Sequence, residues 1–260
     1  MWFNDRRGCQ ARVLGGILLL CASGLAGPTL AREECPPSQM PPVSVPQLRR
    51  AVSEGTEVVI VAIGSSSTQG VMATTRARSY PAVLQAELTR ELPDAHIAIL
   101  NRGIGGQDAA EEAPRLESDV IQARPSLVIW QVGANGAMRQ TDPTIFKRLV
   151  AAGVRKLQKA GADVILMDNQ RAPAILNSPG HAKIAQALAE VAVETEASLF
   201  SRNTLMDTWE RDGHPPSLFV SADGLHHNDR GYHCVATALS GAILDGLRGR
   251  SSSLSAAARR

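Results

Sequence analysis

The chain has 260 residues, 44% of them hydrophobic and 20% charged, with a formal net charge of +2. Its basic residues are dispersed along the sequence, which leaves no concentrated patch of the kind that nucleic acid requires. No repeat or linker divides it, and the length behind its N-terminal leader suits a single α/β unit, which usually takes about 100 to 250 residues.

Residues 1–31 read as a secretory signal. Arg6, Arg7 and Arg12 make a positive leader, Val13 to Gly27 an apolar stretch, and Thr29-Leu30-Ala31 offers a small residue at the cut. An apolar run of about 15 residues broken by glycines is short against the roughly 20 that a spanning helix needs, so cleavage is expected rather than a retained anchor. Lipidation at Cys21 is the alternative; Leu20 opposes it, since a small residue is expected there. The expectation is an exported protein, periplasmic or secreted, with no stable membrane anchor after cleavage. Cys9 and Cys21 leave with the leader. Cys35 and Cys234 remain, and in an oxidising compartment they could staple the N-terminal arm to the last helix, unpaired thiols being the alternative.

Residues 32–50 contain Pro36-Pro37, Pro41-Pro42 and Pro46, which read as an extended lead-in, with packing beginning near Leu48. The folded domain is expected over 51–248. Within it short apolar runs alternate with amphipathic stretches, the pattern of parallel strands covered by helices on both faces. Strands are predicted at Glu57 to Ile63, His96 to Asn101, Ser126 to Val132 and Asp163 to Met167, with a weaker one at Ser198 to Phe200. Asp142-Pro143 caps and opens a helix running to Ala160, which Gly161 closes. A second helix spans Ala182 to Ala197, and Asn228 caps a last one carrying Val235, Leu239 and Ile243 on one face. Residues 249–260 are serine, alanine and arginine without periodicity and are expected to be disordered. The segments fit a doubly wound sheet, whose ligands bind beyond the carboxyl ends of the strands.

Two places carry chemistry. The run Val58-Val59-Ile60-Val61-Ala62-Ile63 empties into Gly64-Ser65-Ser66-Ser67-Thr68, and much later comes Asp223-Gly224-Leu225-His226. A serine on a turn after a strand, with a later Asp-x-x-His, supplies nucleophile, base and base-orienter for acyl transfer. Alone, the serines could equally cap the helix that follows. Asp223, His226, His227, Asp229 and His233 also form a set of potential metal ligands, against which stand the divergent directions of adjacent histidines and the place of His233 in the next helix.

Four blocks, Gly64 to Gly70, Asn101 to Gly106, Gly133-Ala134-Asn135 and Asp223 to His226, resemble in order those of the SGNH/GDSL hydrolases, over Val58 to about Gly246. The resemblance implies a three-layer α/β/α fold with a five-stranded, mostly parallel, flavodoxin-like sheet. It implies Ser66 as nucleophile, His226 as general base and Asp223 as its orienting carboxylate. Ser66, Gly106 and Asn135 would form the oxyanion hole, with no metal and no cofactor. Asn101 is kept as structural. Two positions depart from the family pattern: Ser65 and Gly136 stand where aspartate is usual, and Ser65 is expected to cap locally instead. Asp168 to Pro173 follows the fourth strand, so Gln170 and Arg171 are expected to contact substrate. Scarce aromatics favour a polar, short-acyl substrate such as an acetylated or succinylated glycan over a long-chain lipid. An acyltransferase passing the group to a glycan hydroxyl, and a carbohydrate-binding relic without turnover, are the alternatives.

Overall fold

A computed structural model describes residues 34–249; the leader expected over 1–31 and the tail past Gly249 lie outside the described residues. The sheet has five strands: β1 (Val58–Gly64), β2 (Ile97–Gly103), β3 (Leu127–Gln131), β4 (Asp163–Met167) and β5 (Ser198–Phe200). They pair in the order β2-β1-β3-β4-β5, every neighbour parallel, as the apolar pattern predicted and where the resemblance implied a mostly parallel sheet. All five were legible from their apolar runs, to within one or two residues at each end. The helices are α1 (Pro46–Ser53), α2 (Ser66–Gln69), α3 (Tyr80–Glu91), α4 (Ala109–Glu112), α5 (Ala134–Met138) and α6 (Pro143–Lys159). They continue with α7 (Pro173–Leu176), α8 (His181–Thr195), α9 (Arg202–Arg211) and α10 (Asp229–Leu247).

Both faces of the central strands are covered, which is why β3 and β4 are buried along their whole length. Side chains alternate between two cores with the period of two that a strand imposes. Ile60, Ala62, Ile129, Ile165 and Met167 pack with residues of α1, α3, α9 and α10, among them Leu48, Leu84, Trp209 and Leu239. Val61, Ile63, Val128, Trp130 and Leu166 pack with α6 and α8 through Phe146, Val154 and Leu188. The chain leaves β1 toward β2 on one side and β3 on the other, and the loops after β1 and β3 diverge there. That opens the crevice at the carboxyl edge in which such sheets place their ligands.

Helix ends follow the local chemistry. Asp142 Oδ1 accepts from Thr144 N at 2.8 Å and Ile145 N at 3.0 Å ahead of Pro143, and Gly161 takes a φ of +88° just beyond α6. Asn228 accepts from Gly231 N at 2.9 Å and so starts α10 right after the Asp-x-x-His loop.

The N-terminal segment corrects the end of the expected extended lead-in over 32–50: residues 34–45 form neither helix nor strand, but a helix and core packing begin before residue 50. Pro46 opens α1, and Val43, Val45 and Leu48 are all buried against the core of α10. Proline at the first helical position loses no hydrogen bond, and the two valines between prolines offer apolar surface that an extended arm would leave in water. The first turn of α1 is fixed by Asp163, whose Oδ2 accepts from Leu48 N at 2.9 Å at the start of β4. Burial pushes that carboxyl up to about 6. The arm is also bonded covalently: Cys35 and Cys234 form the expected disulfide, with Cα atoms 5.2 Å apart and 199 residues apart in sequence.

A covalent closure of that length restricts the unfolded chain by about 5 kcal/mol in the chain-entropy model, an upper figure for what it adds to stability. Cys35→Ala should therefore lower the unfolding free energy by about 2–5 kcal/mol, read from denaturant midpoints with and without reductant. Reduced wild type should match the variant, and a variant as stable as the oxidised protein would show that the bond is energetically idle.

Candidate active site

β1 ends at Gly64, where a Cβ would stand 2.5 Å from Thr68 Oγ1 and 2.6 Å from the Gln131 carbonyl oxygen, so only glycine lets the chain turn this sharply. Ser66 then opens α2. That short helix lies directly on the end of β2: a Cβ on Gly103 would come within 2.2 Å of Gln69 N. The turn is braced from β3. Gln131 Oε1 accepts from Ser65 N, Ser65 Oγ and Thr68 Oγ1, each at 3.1 Å. Ser65 was expected to cap the helix locally, but it makes no cap bond; its buried hydroxyl turns to Gln131. Asn101 is structural as expected, donating from Nδ2 to Thr68 O at 2.7 Å and accepting from Gly103 N at 2.9 Å.

The Asp-x-x-His segment is a self-bonded loop closed by a bridge between Val220 and His227. Asp223 Oδ1 accepts from Ser221 Oγ at 2.8 Å, Leu225 N at 2.9 Å and His226 N at 3.0 Å. Its Oδ2 lies 2.6 Å from His226 Nδ1, and His226 Nε2 lies 2.8 Å from Ser66 Oγ. The carboxylate assigns the imidazole its tautomer: Nδ1–H donates to Asp223, which leaves Nε2 to accept from the serine hydroxyl. Partial burial pushes the Asp223 carboxyl upward. The bonds from the imidazole, the two amides and Ser221 outweigh that and hold it well below the usual carboxylate range.

The third loop runs between α2 and α5. Ile104 N donates to Gly64 O at 2.9 Å, and Gly105 N donates to Gln69 Oε1 at 2.9 Å. Gly106 has a φ of +81°. A Cβ there would meet nothing within 4 Å, so the backbone conformation rather than crowding calls for glycine. Asn135, in the first turn of α5, donates one Nδ2 proton to Gln107 O at 2.7 Å and keeps the other. A groove of about 480 Å³ opens beside α2, lined by Gln69, Arg76, Ser79, Gln85, Asn101 and Gly103 among others; Ser66 and His226 are not in its walls.

The sequence itself decides which family carries this arrangement. The model of the non-GDSL lipase-like family matches residues 34–249. The chain belongs to that family. Its resemblance to the SGNH/GDSL hydrolases is thereby borne out, and so is the fold that the resemblance implied. The chain is 27% identical over 115 residues to esterase TesA of Pseudomonas aeruginosa, a stretch covering 44% of this chain and 52% of that protein. A match to an arylesterase of Vibrio mimicus is similar, 26% over 117 residues, 45% of this chain and 56% of the relative. The chain thus spans about half the length of the curated relatives it matches. Among solved structures, a two-domain esterase active on acetylated mannans superposes with a TM-score of 0.66 at 22% identity, over 80% of this chain and 55% of that one. At that identity the likeness speaks to the fold.

Within this non-GDSL lipase-like chain two expected substrate contacts are corrected. Gln170 is buried, and its amide is used at both ends: Nε2 donates to Leu225 O at 2.7 Å, and Oε1 faces Ser67 Oγ at 3.5 Å. It is a strut between the loop that carries His226 and α2. Arg171 turns away to α9, with Nη1 3.3 Å from Asp207 and Nη2 3.0 Å from Glu210. Two carboxylates on a neighbouring helix hold a guanidinium that a loop position alone suggested was free. The candidate metal ligands are dispersed as well. Asp223 and His226 are bonded to each other and toward Ser66, Asp229 accepts from Thr74 N and Oγ1, and buried His227 bonds Phe219 O, its burial pushing it down to about 3. Among the described residues no three such side chains gather.

Gln131 and Ser221 were missed in the sequence. Gln131 had a signal, an amide closing an otherwise apolar strand. Ser221 had none.

Because the folded state lowers the Asp223 pKa, its ionised carboxylate contributes stability above the unfolded value of 3.8, and that contribution is lost as pH falls below it. Asp223→Asn should accordingly be less stable than wild type near neutral pH, with the difference closing in acid. Denaturant unfolding of both proteins at several pH values checks this; a gap that widens in acid would contradict it.

Proposed function

We propose that this protein is a serine carboxylic ester hydrolase that removes a short acyl group from a polar, carbohydrate-type carrier through an acyl-serine. The observation that carries the reading is the unbroken relay from Asp223 through His226 to Ser66, with contacts of 2.6 and 2.8 Å. A serine hydroxyl is a weak nucleophile, and an adjacent base that takes its proton as the new bond forms removes the weakness.

In the proposed reaction Ser66 Oγ attacks the acyl carbon while its proton passes to His226 Nε2. Asp223 stabilises the resulting imidazolium without taking the proton. The developing oxyanion is met by the Ser66 and Gly106 N–H groups and the second Nδ2 proton of Asn135, each donor contributing on the order of 3 kcal/mol. His226 returns its proton to the departing alkoxide, and the alcohol leaves. The neutral His226 then takes a proton from water, whose oxygen attacks the acyl-enzyme; as the acid departs, His226 returns that proton to Ser66 Oγ.

Support for the substrate class comes from two sides. The chain is only 3% aromatic, which is scant material for a long-chain acyl channel. Structural neighbours include the esterase active on acetylated mannans and an acetyl-xylooligosaccharide esterase from Geobacillus Stearmophilus, with a TM-score of 0.61 at 20% identity, over 72% of this chain and 94% of that one. The leader read at 1–31 and the Cys35–Cys234 bond support an exported protein working in an oxidising compartment, periplasmic or secreted.

Ser66→Ala should abolish acetate release from acetylated xylo- or manno-oligosaccharides while the unfolding midpoint is kept, and Asn135→Ala should lose about a hundredfold or more in kcat. A Ser66→Ala protein with wild-type turnover ends the proposal. On nitrophenyl esters acetyl should be turned over faster than decanoyl; the reverse order would replace the glycan ester with a lipid.

A further inference from the structure

We propose that Arg139 is a positioning residue for the oxyanion loop: its guanidinium fixes the segment that presents the Gly106 N–H, so its loss slows the chemical step without weakening substrate binding. The inference rests on the ester-hydrolase reading above.

The loop from Ile104 to Asp108 contains two adjacent glycines, and glycine moves between positive and negative φ with little steric penalty. The Gly106 N–H lies in the peptide between the two glycines, so its direction is set by where the flanking peptides on either side are held. The loop is therefore only as good a donor as its tethers. Its first two amides are tied to Gly64 O and Gln69 Oε1, and Gln107 O is tied to Asn135. The Gly106 carbonyl remains, and Arg139 Nη2 donates to it at 2.7 Å.

The same guanidinium spans to the start of α4. Nη1 donates to Asp108 Oδ2 and to Glu111 Oε2, both at 2.9 Å. Those carboxylates already form a reciprocal cap, with Asp108 Oδ1 accepting from Ala110 N and Glu111 Oε2 accepting from Asp108 N, both at 3.0 Å. Arg139 thus ties the Gly106 end of the glycine loop to the capped start of α4 through charge-assisted bonds. It stands at the end of α5, one turn after Asn135, so a single short helix delivers one proposed donor directly and orients the other. Gly136, beside Asn135, has no side chain with which to do this. The Arg139 side chain is 49% exposed, so its ion pairs add little to global stability. Its value lies in geometry.

The test is the steady-state kinetics of wild type, Arg139→Ala, Arg139→Lys, Asn135→Ala and the Arg139→Ala/Asn135→Ala pair on nitrophenyl acetate, alongside unfolding midpoints. Arg139→Ala should lose about tenfold or more in kcat, less than removal of a donor itself, with KM within about twofold and an unchanged midpoint. Arg139→Lys should recover part of the loss, since one cation can still reach the Gly106 carbonyl. The pair should be much less impaired than the product of the single losses, because both act on one oxyanion. A kcat within about twofold of wild type, or losses that multiply, would overturn the role of Arg139 while leaving the esterase reading intact. A wild type that turns over no ester would overturn both.

Discussion

Three donors converge on one oxygen atom, Gln131 Oε1, and the turn that carries Ser66 depends on that convergence. The Ser65 amide and the Ser65 and Thr68 hydroxyls all donate to it at 3.1 Å, inside a buried pocket where an unpaired donor would cost about 1–3 kcal/mol. The glutamine therefore fixes the first turn of α2 relative to β3 and, with it, the direction in which Ser66 leaves the sheet. Gly64 and Gly103 remove the side chains that would otherwise separate α2 from the two strands beneath it. A short helix that could not be stable on its own is held by its neighbours.

The opposite half of the site is organised by a different economy. Asp223 accepts from two backbone amides, a hydroxyl and an imidazole, so the loop that carries His226 is folded around its own carboxylate. Gln170, in the loop after β4, then ties this loop to α2. Ser66 and His226, 160 residues apart, thus meet through two independently rigid pieces and one buried strut.

The fold was largely legible because its signals are local. Apolar runs announced the strands, Asp142-Pro143 and Asn228 announced helix starts, and the blocks at Ser66 and at Asp223 to His226 marked segments that the fold brings into contact. What stayed hidden was determined across distance. Arg171 looks like a substrate cation until α9 brings Asp207 and Glu210 beside it. Ser65 looks like a cap until β3 brings Gln131, and the valines between the N-terminal prolines look extended until α10 offers them a surface to cover. Arg139 has no sequence signature, because its partners lie about thirty residues upstream in a loop that only the fold places next to it.

The bond between Cys35 and Cys234 has one more implication, for how the polypeptide acquires its shape. Between residues 34 and 249 there is no third cysteine, so within that stretch only one pairing exists and there is nothing to shuffle. During synthesis the first thiol must wait for 199 further residues before its partner emerges. Oxidation therefore closes nearly the whole domain in a single step and has no alternative partner within that stretch to choose between.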